Sequence, residues 1–147
     1  MKLKPGEVER FIKAPSAAVR GVLLYGPDEG KVRELSERVC KTVTPDLSDP
    51  FNVSTLMPED LDGDDARIAV EASAQSLMGG RRLVRVRGAT EKTSKAVEAA
   101  LDAPTGDSMI VVEAGDLKPA GLRKLFEGSR DDLIAIPCYA DEARDVI

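Results

Sequence analysis

The chain has 147 residues, a formal net charge of −5, 3% aromatic residues and no histidine. The lack of histidine excludes histidine-dependent catalytic triads and removes the commonest metal ligand and general base. The negative charge and the scarcity of aromatic side chains disfavour a domain that binds DNA by itself through phosphate contacts or base stacking.

The length suits one domain with a substantial hydrophobic core. No apolar run approaches the roughly 20 residues needed to cross a bilayer, and the N-terminus lacks the apolar segment of a signal peptide. Cys40 and Cys138 are far apart in sequence and fit no metal-binding spacing. We therefore expect a cytoplasmic protein, without a membrane partner, in which both cysteines are reduced thiols.

The first part of the chain alternates helical and extended patterns. A short helix is expected over 7–13 and a strand over 20–25, whose continuous apolar run is typical of a strand buried on both faces. Asp28 is a candidate N-cap for the next helix. The apolar seam of that helix consists of Val32, Leu35, Val39 and Val43. A less buried strand is expected over 51–57, because polar residues interrupt it.

The helix expected over 64–78 ends at a glycine pair and leads into a strand over 82–87. Its apolar face consists of Val70, Ala74 and Leu77. Met78 lies on another, mostly polar face in the last turn, where a large apolar residue is unusual. Leu77 and Met78 either close the end of the core or form an apolar wedge for a protein partner, and the pattern alone favours packing.

The second part of the chain continues the alternation. Helices are expected over 92–101 and from Pro119, strands over 109–112 and 133–136, and a last helix from Asp141. This order predicts a three-layer α/β fold, in which helices cover both faces of a five-stranded, mainly parallel sheet.

The turn after the first strand is where such a fold binds a nucleotide. A phosphate loop has the pattern G-x-x-x-x-G-K-[ST], but here the loop is one residue short and Val32 replaces the magnesium-binding hydroxyl. Asp28 would place negative charge where a triphosphate binds. We therefore interpret Gly26, Gly30 and Lys31 as a degenerate, non-functional phosphate loop, and we expect no cofactor and no metal.

Two further acidic features suggest no active site. The fourth strand ends at Glu113 followed by Ala114, whereas an ATPase needs adjacent acids, so Glu113 is interpreted as a solvated strand end. Asp60 to Glu71 has the length of a calcium loop, but Asp65 stands where glycine is required. These acids are assigned to the start of a helix, and no catalytic residue is predicted.

The basic residues of the chain are concentrated around and after the glycine pair. They are Arg81, Arg82, Arg85, Arg87, Lys92 and Lys95. Such a concentration is usually a solvated surface. Around an apolar pair it would instead form the rim of an interface with an acidic partner.

Several segments together resemble the N-terminal AAA+-like domain of the delta subunit of the bacterial DNA polymerase III clamp loader. The segments that carry the resemblance are 22–28, 51–53, 76–78, 81–86, 110–117 and 122–127. None of them is specific alone, but their order and spacing cover most of the chain. The resemblance implies a non-catalytic domain that has lost ATP binding, within a larger DNA polymerase holoenzyme.

The resemblance also implies a site. In the family, a helix tip enters the apolar pocket of the beta sliding clamp and helps to open the ring. The wedge is commonly a Leu-Phe pair after a serine, and Ser76, Leu77 and Met78 fill those places here. With the resemblance, the wedge becomes the favoured interpretation of this pair. Methionine in place of phenylalanine is expected to bind less tightly, because its side chain is flexible.

The resemblance further implies the organisation of the chain and its partners. Residues 1–140 would form the AAA+-like clamp-binding domain, and 141–147 would begin a truncated lid domain. Full members associate with the gamma/tau and delta prime subunits, and they reach DNA only through the assembled complex.

Two other functions stay open on the residues themselves. Gly26, Gly30 and Lys31 are compatible with a diverged P-loop nucleotide-binding ATPase or kinase, which binding of Mg-ATP would reveal. The third possibility is a generic adaptor of similar fold with an unrelated partner.

Overall fold

The computed structural model describes residues 1–74, 81–103 and 107–139. Its helices are α1 (Pro5–Lys13), α2 (Glu29–Val43), α3 (Pro58–Leu61), α4 (Arg67–Ser73), α5 (Ser94–Asp102) and α6 (Gly121–Glu127), with a 3-10 turn at Glu91–Thr93. Its strands are β1 (Gly21–Tyr25), β2 (Val53–Leu56), β3 (Arg82–Ala89), β4 (Ser108–Ala114) and β5 (Leu133–Pro137). These strands form one parallel sheet in the order β2-β3-β4-β1-β5, which confirms the predicted α/β fold.

Strand β1 lies inside the sheet and is buried along its whole length. Val22 pairs with Val111 of β4 on one side and with Ile134 of β5 on the other. The continuous apolar run of β1 follows from this position, because helices cover both of its faces and no residue of the strand meets water.

The sheet separates two apolar cores. One core packs α4, α5 and α6 against the sheet, through residues such as Ile68, Val97 and Phe126. The other packs α1 and α2 against the opposite face, through residues such as Val8 and Val39. Helix α2 buries three of its four predicted seam residues, and Val43 packs partly buried against the same core.

The predicted apolar face of the helix before β3 is wrong. Val70 is 62% exposed and Ala74 is exposed, whereas Ile68 and Ala72 are buried among the sheet residues below α4. The helix ends at Ser73, because the backbone of Ala74 is extended (φ −64°, ψ 137°). The predicted helix over 64–78 is therefore interrupted at Ala74, and Leu77 lies outside the described residues.

Three other predicted segments differ from the structure or fall outside it. Strand β2 is shorter than the predicted 51–57, and α6 begins after Pro119, with Ala120 as its N-cap. The helix expected from Asp141 and the segment 141–147 lie outside the described residues. No helix within 1–74, 81–103 and 107–139 is long and apolar enough to span a membrane.

Both cysteines are free and buried, as the sequence predicts for reduced thiols. Burial raises the pKa of Cys40 to about 11, and burial likewise raises the pKa of Cys138 to about 11. Both side chains therefore stay protonated at neutral pH and act as small apolar residues of the core.

The Arg130–Asp132 pair before β5 predicts an acid-dependent part of the stability. A hydrogen bond from Arg130, with Nη2 2.9 Å from Oδ2, lowers the pKa of Asp132 below its usual 3.8. A lowered carboxyl pKa stabilises the folded state above the unfolded pKa, and that contribution is lost as the pH falls through the folded pKa. Because Arg130 is more than a third exposed, we expect a loss of at most about 1 kcal/mol.

Asp132→Asn should therefore flatten the decline of the free energy of unfolding between about pH 5 and pH 3, measured by urea denaturation. The exposed neighbour Asp131 supplies the control, since Asp131→Asn makes the same change in charge. Identical pH profiles for the two variants would contradict the assignment to the ion pair.

Candidate functional site

The turn after β1 is held against the residues that follow β4 and β5. The amide of Gly26 donates to the carbonyl of Gly115 at 2.9 Å, and the amide of Asp28 donates to the carbonyl of Cys138 at 3.3 Å. Gly26 has φ +140°, and a Cβ built on it would lie 2.2 Å from the Cys138 carbonyl oxygen. Only glycine fits there, so this glycine is explained by the packing of the turn and requires no phosphate.

Asp28 occupies the N-terminus of α2, as predicted. Its carboxylate accepts a hydrogen bond from the Lys31 amide, with Oδ1 3.1 Å from the nitrogen. In a phosphate-binding turn, the amides of the first helical turn point at the anion. Here the protein supplies its own anion at this position, and a triphosphate would meet a negative charge in place of free amides.

Gly30 and Lys31 lie beside Asp28 in the first turn of α2. The side chain of Lys31 donates to the carbonyl of Tyr139 at 3.5 Å. The structure thus brings Gly26, Gly30 and Lys31 together at the carboxyl edge of the sheet, as the sequence pattern requires. The described hydrogen bonds run from Gly26 to Gly115 after β4, and from Lys31 to Asp28 in the turn and to Tyr139 after β5.

The interpretation of Glu113 as a solvated strand end is wrong. Glu113 is buried at the end of β4, and its Oε2 accepts from Ser36 Oγ at 2.7 Å and from Arg85 Nη2 at 3.3 Å. Its Oε1 lies 3.6 Å from Arg87 Nε. Because a hydroxyl and two guanidinium groups already face this carboxylate, its oxygens are engaged within the protein.

A cleft of about 390 Å³ opens at this edge of the sheet, between α2 and the ends of β3 and β4. Its charged lining residues are Glu29, Arg33, Arg87 and Glu113. Two of these side chains are acidic and two are basic, so their formal charges cancel. Within the part of the chain that the structure describes, no group of three or more acidic or cysteine side chains could hold a metal ion.

The basic concentration around β3 is not a simple solvated surface. Arg82 and Arg85 are both buried, and they point to opposite faces of the sheet. Arg85 pairs with Glu113 on the α2 face, whereas Arg82 pairs with Glu71 of α4. Sequence reasoning missed both pairs, although arginines inside an apolar strand were a signal that buried acids would face them.

The residues that the sequence proposes for the wedge, Ser76, Leu77 and Met78, fall in the segment 75–80, which lies outside the described residues. The structure describes both flanks of this segment. Helix α4 ends before it at Ser73, and β3 begins after it at Arg82.

Together, the five-stranded parallel sheet and the helices on both of its faces define a three-layer α/β domain. The fold is similar to that of a DNA polymerase III gamma subunit-related protein from Thermotoga maritima, with a TM-score of 0.57 and 16% sequence identity. The match covers 96% of this chain and 48% of that one, so the chain spans about half the length of that protein. At this identity the likeness shows the fold alone.

Residues 22–129 match the model of the family described as DNA polymerase III, delta subunit. The chain belongs to this family, which confirms the resemblance seen in the sequence and associates the chain with the clamp-loading machinery of DNA replication. A comparison with curated protein sequences finds no matching relative.

The two glycines of the turn predict opposite responses to alanine. Gly26→Ala should cost roughly 3 kcal/mol or more, or prevent folding, because the positive φ and the Cys138 carbonyl both exclude a Cβ. Gly30→Ala should be neutral or stabilise by up to about 1 kcal/mol, since its Cβ would meet only Asp28 Oδ1 at 3.7 Å in a helix. Chemical denaturation of both variants tests this, and equal stabilities would contradict the packing account.

Proposed function

We propose that this chain is the clamp-binding part of a non-catalytic clamp-loader subunit of the delta type. The proposal depends on the family match over residues 22–129, because that match includes Ser76, Leu77 and Met78. In the proposed mechanism, Leu77 and Met78 enter an apolar pocket of the beta sliding clamp. Ser76 precedes them as the family pattern requires.

The geometry of the turn after β1 supports a role without chemistry. Asp28 places a carboxylate at the N-terminus of α2, and Glu113 is held by two arginines. The two positions that would bind phosphate and metal in a working ATPase are thus engaged with the protein's own groups. We therefore propose that the domain is a scaffold for protein contacts that neither binds nor hydrolyses ATP.

A subunit without chemistry can open a ring only by differential binding. If the wedge binds the distorted interface of the clamp better than the relaxed one, it shifts the equilibrium toward the open ring. The gamma/tau and delta prime subunits would then time this contact in the assembled complex. DNA would be reached through that complex, in agreement with the net charge of −5 on this chain.

The wedge predicts a loss of clamp affinity when its two apolar side chains are truncated. Leu77→Ala/Met78→Ala should weaken binding to the cognate clamp by about 30-fold or more, since a central apolar anchor contributes about 2 kcal/mol or more. Surface plasmon resonance with immobilised clamp measures this. Met78→Phe should bind more tightly than the parent, because the aromatic ring is more rigid.

Val70→Ala is the matched control, because Val70 is a 62% exposed apolar residue on the nearby helix α4. It should change clamp affinity by less than a factor of two. Equal affinities for the parent and the double variant would end the proposal. A parent that captures another protein and never the clamp would instead favour an adaptor with an unrelated partner.

The alternative of a P-loop ATPase or kinase makes a separate prediction. Isothermal titration of the chain with Mg-ATP should show no binding heat at millimolar ligand, because Asp28 repels the phosphates. Asp28→Asn is the matched variant for this repulsion, since asparagine can still cap the helix but lacks the negative charge that repels the phosphates. Micromolar binding by the parent would favour the nucleotide-dependent function.

A further inference from the structure

A groove of about 510 Å³ lies where the N-terminal segment meets the end of β5. Of the described residues that line it, three are lysines, namely Lys2, Lys4 and Lys31, and none is acidic. The whole chain carries a net charge of −5, so this groove is a basic surface on an acidic protein. It shares no lining residue with the cleft beside Glu113.

The charges of Lys2 and Lys4 are not neutralised by the described part of the chain. Both residues are exposed, and neither forms an ion pair with a described carboxylate. Glu127 interacts electrostatically with Lys2, but it is held by Arg123, whose Nε lies 3.2 Å from its Oε2. Glu7 accepts from the backbone amide of Lys4 at 2.8 Å. The two ammonium groups are therefore available to an anion from outside the fold.

The rest of the groove is apolar or aromatic. Leu3, Pro5, Pro137 and Tyr139 line it. The Tyr139 ring is edge-on to the buried ring of Tyr25, with the centroids 6.4 Å apart, and Tyr139 is still 43% exposed. A ring oriented by a buried neighbour and left partly exposed offers a rigid apolar contact at a low cost in conformational entropy. The groove thus combines positive charge with an apolar wall.

The backbone of β5 is already engaged at this edge of the sheet. The Ala135 amide donates to the Met1 carbonyl at 2.9 Å, and the Ala135 carbonyl accepts from the Leu3 amide at 2.9 Å. Pro137 has no amide hydrogen. A partner segment therefore cannot add a strand at these residues, and the groove must recognise it through side chains.

We propose that this groove binds a short acidic segment of a partner protein, with an apolar side chain among its carboxylates. The lysines attract the carboxylates, and the apolar wall beside Tyr139 takes up the apolar side chain. Lysine ammonium groups are separate point charges on flexible stems, which suit several spaced carboxylates better than bidentate recognition of one phosphate. The net charge of −5 disfavours nucleic acid as the occupant.

Selection of a random peptide library on the immobilised chain tests the proposal without assuming a partner sequence. The enriched peptides should carry two or more carboxylates around an apolar residue. Fluorescence anisotropy of a labelled enriched peptide then compares the variants. Lys2→Gln/Lys4→Gln should weaken binding by about 5-fold or more, because two exposed ion pairs are lost. Tyr139→Ala should also weaken it, through loss of the apolar contact.

Lys13→Gln/Lys41→Gln is the matched control. These two lysines are exposed on α1 and α2 and do not line the groove, and the double variant makes the same change in net charge. Its affinity for the peptide should stay within twofold of the parent. A general electrostatic attraction to the whole surface would instead weaken binding equally in both double variants, which would overturn the proposal.

Three further results would overturn it. The first is a selection that enriches no peptide, or only peptides without carboxylates. The second is a single-stranded oligothymidylate that binds more tightly and displaces the peptide, which would assign the groove to nucleic acid. The third is self-association of the chain that Lys2→Gln/Lys4→Gln abolishes, which would assign it to a second copy. The groove includes no residue of the proposed wedge, so a failure of clamp binding would leave this inference unchanged.

Discussion

The close approach of the turn after β1 to the residues that follow β5 constrains the whole carboxyl edge of the sheet. Gly26 must be glycine because the Cys138 carbonyl leaves no space for a Cβ, and the backbone amides of the turn bond to neighbouring carbonyls. Helix α2 then begins with an internal carboxylate at its N-terminus. A turn closed in this way keeps the geometry of a nucleotide-binding fold while the protein's own groups occupy the place of the phosphate.

The buried arginines of β3 form a second constraint, one on each face of the sheet. Removing a guanidinium from water is costly unless a carboxylate and further acceptors surround it. Arg85 pairs with Glu113 of β4, which also accepts from Ser36 of α2, and Arg82 pairs with Glu71 of α4. Such pairs contribute little net stability compared with apolar packing, but a wrong register would leave a buried charge unpaired. They therefore favour one arrangement of α2, α4 and β3 over its alternatives.

These two constraints engage the charged groups that nucleotide chemistry would need at the carboxyl edge of the sheet. Catalysis would need an open phosphate site and an available carboxylate at the same edge. In this chain both are engaged internally, which agrees with membership of the DNA polymerase III delta subunit family.

The sequence by itself determined the order of elements, the parallel sheet, the capping role of Asp28 and the defects of the phosphate loop. These follow from local periodicity and from the residue types within one turn. Only the tertiary structure decided that α4 packs through Ile68 rather than Val70, and that Glu113 and Arg82 are buried in ion pairs. The partner of Glu113 lies 28 residues away along the chain and the partner of Arg82 lies 11 residues away, and no local pattern records which side chains a sheet will bring together.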